Sequence, residues 1–549
     1  MTVIARSVSD EAIPERPGRA ALFALALLLA GCTTIPTARI LTLNLAAIND
    51  FHGHLHRSAE PVAGRPLGDV ARLATVVADL RARSAHFAFV SAGDLVGASP
   101  VVSAAFNDEP TIEAMNAAGL DFNGVGNHEF DAGLEHIQRL QSGGCPPGGC
   151  RSGSEFAGAR FRFLAANVVV RTTGEPLFPA YAIREYAGVK VAFVGMTLEG
   201  TAEISAPANV ERVDFRDEAD TVNALVPVLK QQGVEAIVVL IHQGGVNRGG
   251  PNECAGFEGP IRDLVARMDR AVDLVVSGHT HQAYVCNLDG RLVTSAGSYG
   301  RYVTHIELDL DPKSRDVIAA RAENRIVSPD VAPHAAVAAV VERYTQLAAP
   351  LRRVVGLLTA PLERRASADG ESPLGQTIAD AHLASARGAG AVVAFMNPGG
   401  IRAPLDRGEV TFAQVFDLYP FNNAVVAMTL TGAQILALLE QQWGGDFPRI
   451  LQVSQGFSYA WNPGAPNGSR VVRGSVTLNG EPVVAEKPYR IAVNSYLAQG
   501  GDRFSIFRDG VDRVEVGGGR DAIASYLEAA SPYSPPSVRR IRRAGRAGP

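Results

Sequence analysis

Five apolar runs in the first half of the chain each lead into residues able to ligate a metal. They lead into Asn49-Asp50-Phe51-His52, Gly93-Asp94, Gly126-Asn127-His128-Glu129, His242 and Gly278-His279-Thr280-His281. Carboxylate oxygens and neutral imidazole nitrogens suit zinc, manganese or a similar divalent ion. Two such ions need one ligand that can bridge, and a carboxylate has two oxygens to do it. Asp50, His52 and His281 with bridging Asp94 would hold the first ion. Asn127, His242 and His279, with Asp94 again, would hold the second. A pair of ions clamps a phosphate and activates water near neutral pH. Singly, each motif has a plainer reading: a hydrogen-bonded histidine, a Gly-Asp turn, an Asn-His-Glu cap. Five together point to a metal centre. His128 is one histidine more than the two ions need. Asp131 follows three residues later, on the same face if this segment opens a helix. There an acid can orient an imidazole that donates a proton or stabilises charge. The alternative is a structural His–Asp cap.

These residues require a scaffold that brings strand ends together. The runs at 39–48, 85–90, 162–167, 189–194, 236–241 and 271–276 read as buried strands, and 70–83 and 218–232 read as helices between them. That is α/β architecture, whose sites lie at the carboxyl ends of strands. Pro329 and Pro333 precede a helix-forming, alanine-rich stretch, so 328–350 is expected to be a linker helix. A second α/β segment covers 351–535. The arginine-rich end, 536–549, is expected to be a disordered basic tail.

With 549 residues, 46% of them hydrophobic, the chain is long enough for two cored domains. Its net charge of −5 argues against a nucleic-acid partner, which needs a basic surface. No protein partner is evident. Arg16 and Arg19 precede an apolar run, 20–30, too short to span a bilayer but of signal-peptide length. It ends in Leu29-Ala30-Gly31-Cys32, which resembles a bacterial lipobox with Cys32 as the lipidated residue; a plain secretory signal is the alternative. Residues 1–32 are therefore expected to be removed or anchored, leaving the protein on a bacterial membrane, facing the periplasm or exterior, with the lipid as its one membrane contact. Four further cysteines in an exported chain favour disulfides. Cys145 and Cys150 would close a Pro-Gly loop. Cys254 and Cys286 flank the His279–His281 segment and would brace it. Metal-binding thiolates are the rival reading, but no Cys-x-x-Cys spacing is present.

The motifs in this order resemble the metallophosphoesterases, and among them the bacterial 5′-nucleotidase and UDP-sugar hydrolase family. The resemblance implies the ligand set above, the His128–Asp131 dyad, and a four-layer αββα sandwich over 38–327, followed by a second α/β, nucleotide-binding domain. It also implies that domain rotation brings substrate to the metals. In the second half, Asn397-Pro398-Gly399-Gly400-Ile401-Arg402 resembles the family's phosphate-binding turn, with Asn397, Gly400 and Arg402 at its core. Phe421 in Pro420-Phe421-Asn422-Asn423 and Tyr496 in Tyr496-Leu497-Ala498-Gln499-Gly500-Gly501-Asp502 match aromatics that stack a base. Asp502 matches an acid that binds ribose. A further phosphate-binding arginine corresponds to Arg364 or Arg365, and the sequence does not choose between them. The implied activity is release of phosphate from nucleoside 5′-phosphates, with nucleoside di- and triphosphates or UDP-sugars as further substrates. Alternatives are a 2′,3′-cyclic nucleotide or non-nucleotide phosphoesterase, or an inactive surface nucleotide-binding protein.

The anchoring expectation has a direct test. Cys32→Ser releases the protein from membranes and leaves its soluble activity intact. Unchanged membrane fractionation of that variant contradicts it.

Overall fold

The computed structural model describes residues 39–56, 64, 67–445, 447–537 and 539–544. The signal segment 1–32 and Cys32 lie outside the described residues.

Strands buried on both faces read as unbroken apolar runs, and such runs build the centre of two facing six-stranded sheets. The first sheet has the order Asp316–Ile326, Tyr302–Asp311, Leu41–Ile48, Phe87–Ser91, Phe122–Gly124, Arg162–Leu164. The second has the order Ala283–Leu288, Arg291–Ala296, Leu274–Ser277, Ala236–Ile241, Val189–Met196, Tyr181–Tyr186. The strands that carry the site run parallel: Leu41–Ile48 to Phe87–Ser91 to Phe122–Gly124, and Ala236–Ile241 to Leu274–Ser277. Between the sheets, Leu43, Leu45 and Val90 meet Val191, Phe193, Val238 and Leu240 in one core. Helices Val70–Ala82, Glu109–Ala118 and Leu134–Ser142 cover the outer face of the first sheet through Leu73, Val77, Ile112, Met115 and Ile137. Helices Glu218–Gln231 and Pro260–Arg267 cover the second through Val222, Leu229, Ile261 and Val265. The result is a four-layer αββα sandwich. Its helices follow from local sequence. In Glu218–Gln231 the buried Ala219, Val222, Val226 and Leu229 recur every three or four residues, and the Asp217 side chain accepts the N–H of Asp220 as the N-cap.

The second domain is a smaller mixed α/β unit. Its five-stranded sheet has the order Gln452–Val453, Val393–Met396, Pro488–Asn494, Ala424–Thr431, Val511–Gly518. One face is lined by Ala394, Ala427 and Ala492, which leave room for Leu383 and Ala386 of helix Pro373–Ala386 and for Ala522 of helix Gly519–Ala529. The other face packs Phe395, Met428 and Ile491 against Ile435, Leu438 and Phe457.

The alanine-rich helix of the expected linker forms over Ala335–Leu347. It docks on the outer helical layer of the first domain, where buried Tyr344 packs on Phe106 and donates to Glu113. The basic end is not a disordered tail through residue 544. Ile541–Arg543 adds a parallel strand to Phe457–Trp461. Arg540 is buried and grips both oxygens of Asp380 at 2.8 Å, while Glu371 accepts the N–H groups of Arg540 and Ile541. A buried, two-pronged ion pair with a carboxylate 160 residues away orders this strand. Residues 545–549 lie outside the described residues.

Both disulfides form, Cys145–Cys150 and Cys254–Cys286. The second closes the longer loop and encloses the His279–His281 segment. Replacing Cys254 and Cys286 by serine is expected to cost about 3–4 kcal/mol of stability, from the loop-closure entropy returned to the unfolded chain. Thermal unfolding measures it, and an unchanged melting temperature contradicts it.

Candidate metal centre and the cleft above it

Each ligand candidate sits where its strand stops, and the backbone there turns sharply. Asp50, His52, Asp94, His279 and His281 all have left-handed φ, between 48° and 70°. Non-glycine residues adopt this conformation at a cost of order 1–3 kcal/mol each, and it clusters at functional sites. The glycines beside them allow backbones to touch. A Cβ on Gly93 would come within 2.7 Å of His242 Nδ1, and one on Gly126 would strike the Asp94 carboxylate.

The side chains converge as two adjacent sets. Asp50, His52 and His281 form one cluster, and Asp94, His242 and His279 the other. Asp94 Oδ2 lies 2.9 Å from His242 Nε2 and 3.6 Å from His52 Nε2, so it faces both. His281 Nε2 lies 3.3 Å from Asp50 Oδ1 and 3.1 Å from His52 Nε2. Asn127 Oδ1 meets His279 Nδ1 at 3.0 Å. Backbone carbonyls fix two of the rings: His52 Nδ1 pairs with Gly97 O and His242 Nδ1 with Ala92 O, both at 2.8 Å. A ring nitrogen that donates to a carbonyl leaves the other as a lone-pair donor aimed inward. His242 Nε2 is buried and faces Asp94 Oδ2 at 2.9 Å. Four histidines, two carboxylates and an amide oxygen, buried and converging at one place, are a donor set that fits divalent cations. A third acidic group, Glu199, Asp217 and Glu218, brings no histidine and is engaged in capping and ion pairing.

The electrostatics follow from burial and pairing. Burial favours the neutral acids, yet His281 and His242 hold Asp50 below the usual carboxylate range. Burial likewise opposes charge on Asp94, but His242, His128 and His52 hold it well below that range. Burial opposes charge on His242, and Asp94 and Asp50 outweigh it, pushing the ring up to about 10. His279, buried and beside His242, is pushed down to about 4. With its carboxylates charged, the site attracts cations.

His128 opens a 3-10 turn, His128–Phe130, in which residues three apart eclipse. Its Nδ1 meets Asp131 Oδ2 at 2.8 Å, and its ring lies 5.0 Å from that of His52. Burial works against its charge, but the Asp131 and Asp94 carboxylates raise its pKa above the ordinary histidine value.

The second domain reaches this centre. Arg402 is close enough for its charge to lower the pKa of His52, His54 and His128. The ring of Phe421 lies 6.2 Å from that of His128. Asn397 donates to Asp502 Oδ2 at 2.7 Å and accepts from Asn494 at 3.0 Å. Gly400 is buried in the adjoining turn Pro398–Gly400. Tyr496 lies on the backbone of Gly501, with its hydroxyl 3.1 Å from Asp502 Oδ1. The two candidate arginines separate. Both are exposed, but Arg364 donates at 2.8 Å to the carbonyl of Arg402.

Sequence reasoning missed the residues that hold the ligands. Buried Glu129 accepts the N–H groups of Asp94, Leu95 and Gly126 at 2.8–3.0 Å and so ties two strand-end loops together. Burial and neighbouring Asp94 raise it to about 7. Asn49 bridges Asp50 Oδ2 to Gly297 O. Tyr299 stacks on His54 at 4.0 Å and meets His281 edge-on at 5.3 Å. A glutamate after a metal-motif histidine was the available signal for Glu129; nothing local marked Tyr299.

Known proteins are similar to this chain. The family model described as calcineurin-like phosphoesterase matches residues 43–283, and that of the 5′-nucleotidase C-terminal domain matches 354–509. Endonuclease YhcR of Bacillus subtilis is 30% identical over 464 residues, covering 83% of this chain and 37% of that protein. Cell wall protein Lmo0130 of Listeria monocytogenes is 31% identical over 518 residues, covering 87% of this chain and 66% of that protein. The chain thus spans between about a third and two thirds of the length of these curated relatives. A 5′-nucleotidase precursor from Thermus thermophilus superposes with a TM-score of 0.78 at 29% identity, covering 92% of this chain and all of that one.

The position of Asp94 gives a test. If it bridges two cations, Asp94→Asn removes a ligand of each, and metal affinity is expected to fall more than about tenfold at both positions. Equilibrium dialysis with elemental analysis measures this; wild-type metal content in the variant contradicts it.

Proposed function

Because the chain belongs to the calcineurin-like phosphoesterases that carry a 5′-nucleotidase C-terminal domain, we propose that it is an exported two-metal hydrolase that releases phosphate from nucleoside 5′-phosphates. The observation that carries this reading is the approach of Phe421 of the second domain to His128, 6.2 Å between ring centres, with the Arg402 charge opposing protonation of the same histidine. A phosphate at the cluster would lie within reach of a guanidinium from one domain and an imidazole from the other. The proposed domains are 38–327 and 351–535, the second extended by the strand Ile541–Arg543.

In this reading Asp50, His52, His281 and Asp94 hold one divalent ion, and Asn127, His242, His279 and Asp94 the other; zinc and manganese suit the donors. Such ions supply Lewis acidity, polarising phosphoryl oxygens and lowering the pKa of water. The chain's own residues do the rest. Arg402 binds phosphate oxygens, and Arg364 holds the Arg402 carbonyl in place. Asp131 fixes the tautomer of His128, whose other nitrogen can pass a proton to the leaving 5′-oxygen. Phe421 offers a face to the base, Tyr496 a second, and Asp502 accepts from ribose hydroxyls. Export is supported by Leu29-Ala30-Gly31-Cys32, by the two disulfides and by a relative named as a cell wall protein. Among the described residues no helix is long and apolar enough to cross a membrane, and lipidation of Cys32 is the proposed anchor.

Two substrates and two variants test the reading. Stacking contributes roughly 1–3 kcal/mol per base, so Phe421→Ala is expected to lower kcat/KM for AMP by about fivefold to a hundredfold. p-Nitrophenyl phosphate, which has no nucleobase, is expected to be unaffected. His128→Ala is expected to slow both. If Phe421→Ala hydrolyses AMP as well as wild type does, the second domain is not a nucleotide clamp.

A further inference from the structure

Tyr496 carries a hydroxyl that stacking on a base does not need. It stands on the short helix Ser495–Ala498, directly after strand Pro488–Asn494. Its oxygen accepts the N–H of Asp502 at 2.9 Å and donates its one proton across the domain boundary to the carbonyl of Ile204 at 2.6 Å. That bond is shorter than the 3.1 Å separation from Asp502 Oδ1, so the proton belongs to Ile204. The ring cannot swing away from this position. Gly501 packs so closely on it that a Cβ there would lie within 2.6 Å of ring carbons.

A second contact crosses at the same place. Ile204 ends the helix Thr201–Ile204, and Glu203, one residue earlier, meets Arg503 at 2.6 Å. Asp502 and Arg503 are consecutive non-glycine residues with left-handed φ, 56° and 67°. In this conformation Asp502 faces Asn397 in its own domain while Arg503 faces Glu203 in the other. Strain of this kind persists only where surrounding contacts over-determine it.

We infer that Tyr496 and Arg503, with Ile204 and Glu203, form a latch that holds the base-and-sugar segment of the second domain against the metal domain, and that the Tyr496 hydroxyl is a positioning residue for the reaction. The inference rests on the proposed nucleotide reading only for the name of that segment; the latch itself acts on any phosphoester, because the same docking delivers Arg402. The two contacts differ in weight. Arg503 and Glu203 are 37% and 54% exposed, where an ion pair is screened and weak. The tyrosine bond is half-buried, and phenylalanine at 496 would leave the Ile204 carbonyl and the Asp502 N–H without this partner.

The test uses the full chain and three variants: Tyr496→Phe, Glu203→Arg, and Glu203→Arg combined with Arg503→Glu. Two readouts are taken, the radius of gyration by small-angle X-ray scattering and kcat/KM on AMP and on p-nitrophenyl phosphate. Tyr496→Phe is expected to expand the molecule and to lower kcat/KM about fivefold to tenfold on both substrates. Glu203→Arg is expected to move both readouts the same way by less, and the reversed pair to restore them. Unchanged size and unchanged kcat/KM in Tyr496→Phe overturn the latch. So does a loss confined to AMP at unchanged size, since the hydroxyl would then act on the substrate and not on Ile204. A wild type that hydrolyses p-nitrophenyl phosphate but not AMP defeats the nucleotide reading alone, and the latch is still judged by size and by the aryl substrate.

Discussion

Two carboxylates, Asp50 and Asp94, are buried at 0% and 1% exposure at the seam between two sheets. Removing such a charge from water costs on the order of several kcal/mol per ion unless it is paired and hydrogen-bonded. Around them the protein gathers four imidazoles, the N–H groups of His279 and His128, and the Asn49 amide. None of these partners is close in sequence to all the others. Only parallel strands from both sheets, ending at one edge, can deliver them together, and only left-handed turns with glycine neighbours can bend the chain tightly enough. The sandwich, the strained loops and the Glu129 clamp all follow from holding this charge where cations can neutralise it.

The second domain has a different task. The proposed phosphate site at Arg402 is useful only when set over the cluster. Asp417 accepts the N–H of Val101 at 2.6 Å across the boundary, and Phe412 and Phe416 pack on the core of the first domain. In the proposed function recognition and chemistry are split between two domains, and the contacts that join them govern whether the site is complete.

The metal cluster was legible in the sequence because a buried strand, a glycine and a ligand in close succession leave a local signature. The parallel core strands were legible for the same reason: burial on both faces removes polar residues. The hairpin Tyr302–Asp311 with Asp316–Ile326 was not, since its alternating exposure and its many charges hide a strand. The order at the C-terminus was hidden because Arg540 depends on Asp380 and Glu371, far back in the chain. Arg364 and Arg365 could not be told apart by spacing, because what separates them is the distance to one carbonyl. Tyr496 was read from the sequence as a base-stacking aromatic, but its hydroxyl bond to Ile204 is a property of how two domains dock.

The central claim is that two cations share Asp94. Anomalous diffraction from crystals equilibrated with manganese or zinc tests it most directly. The account predicts two peaks about 3.5–4 Å apart, one against Asp50, His52 and His281, the other against Asn127, His242 and His279, with the Asp94 carboxylate touching both. A single peak, or two peaks of which only one contacts Asp94, contradicts it.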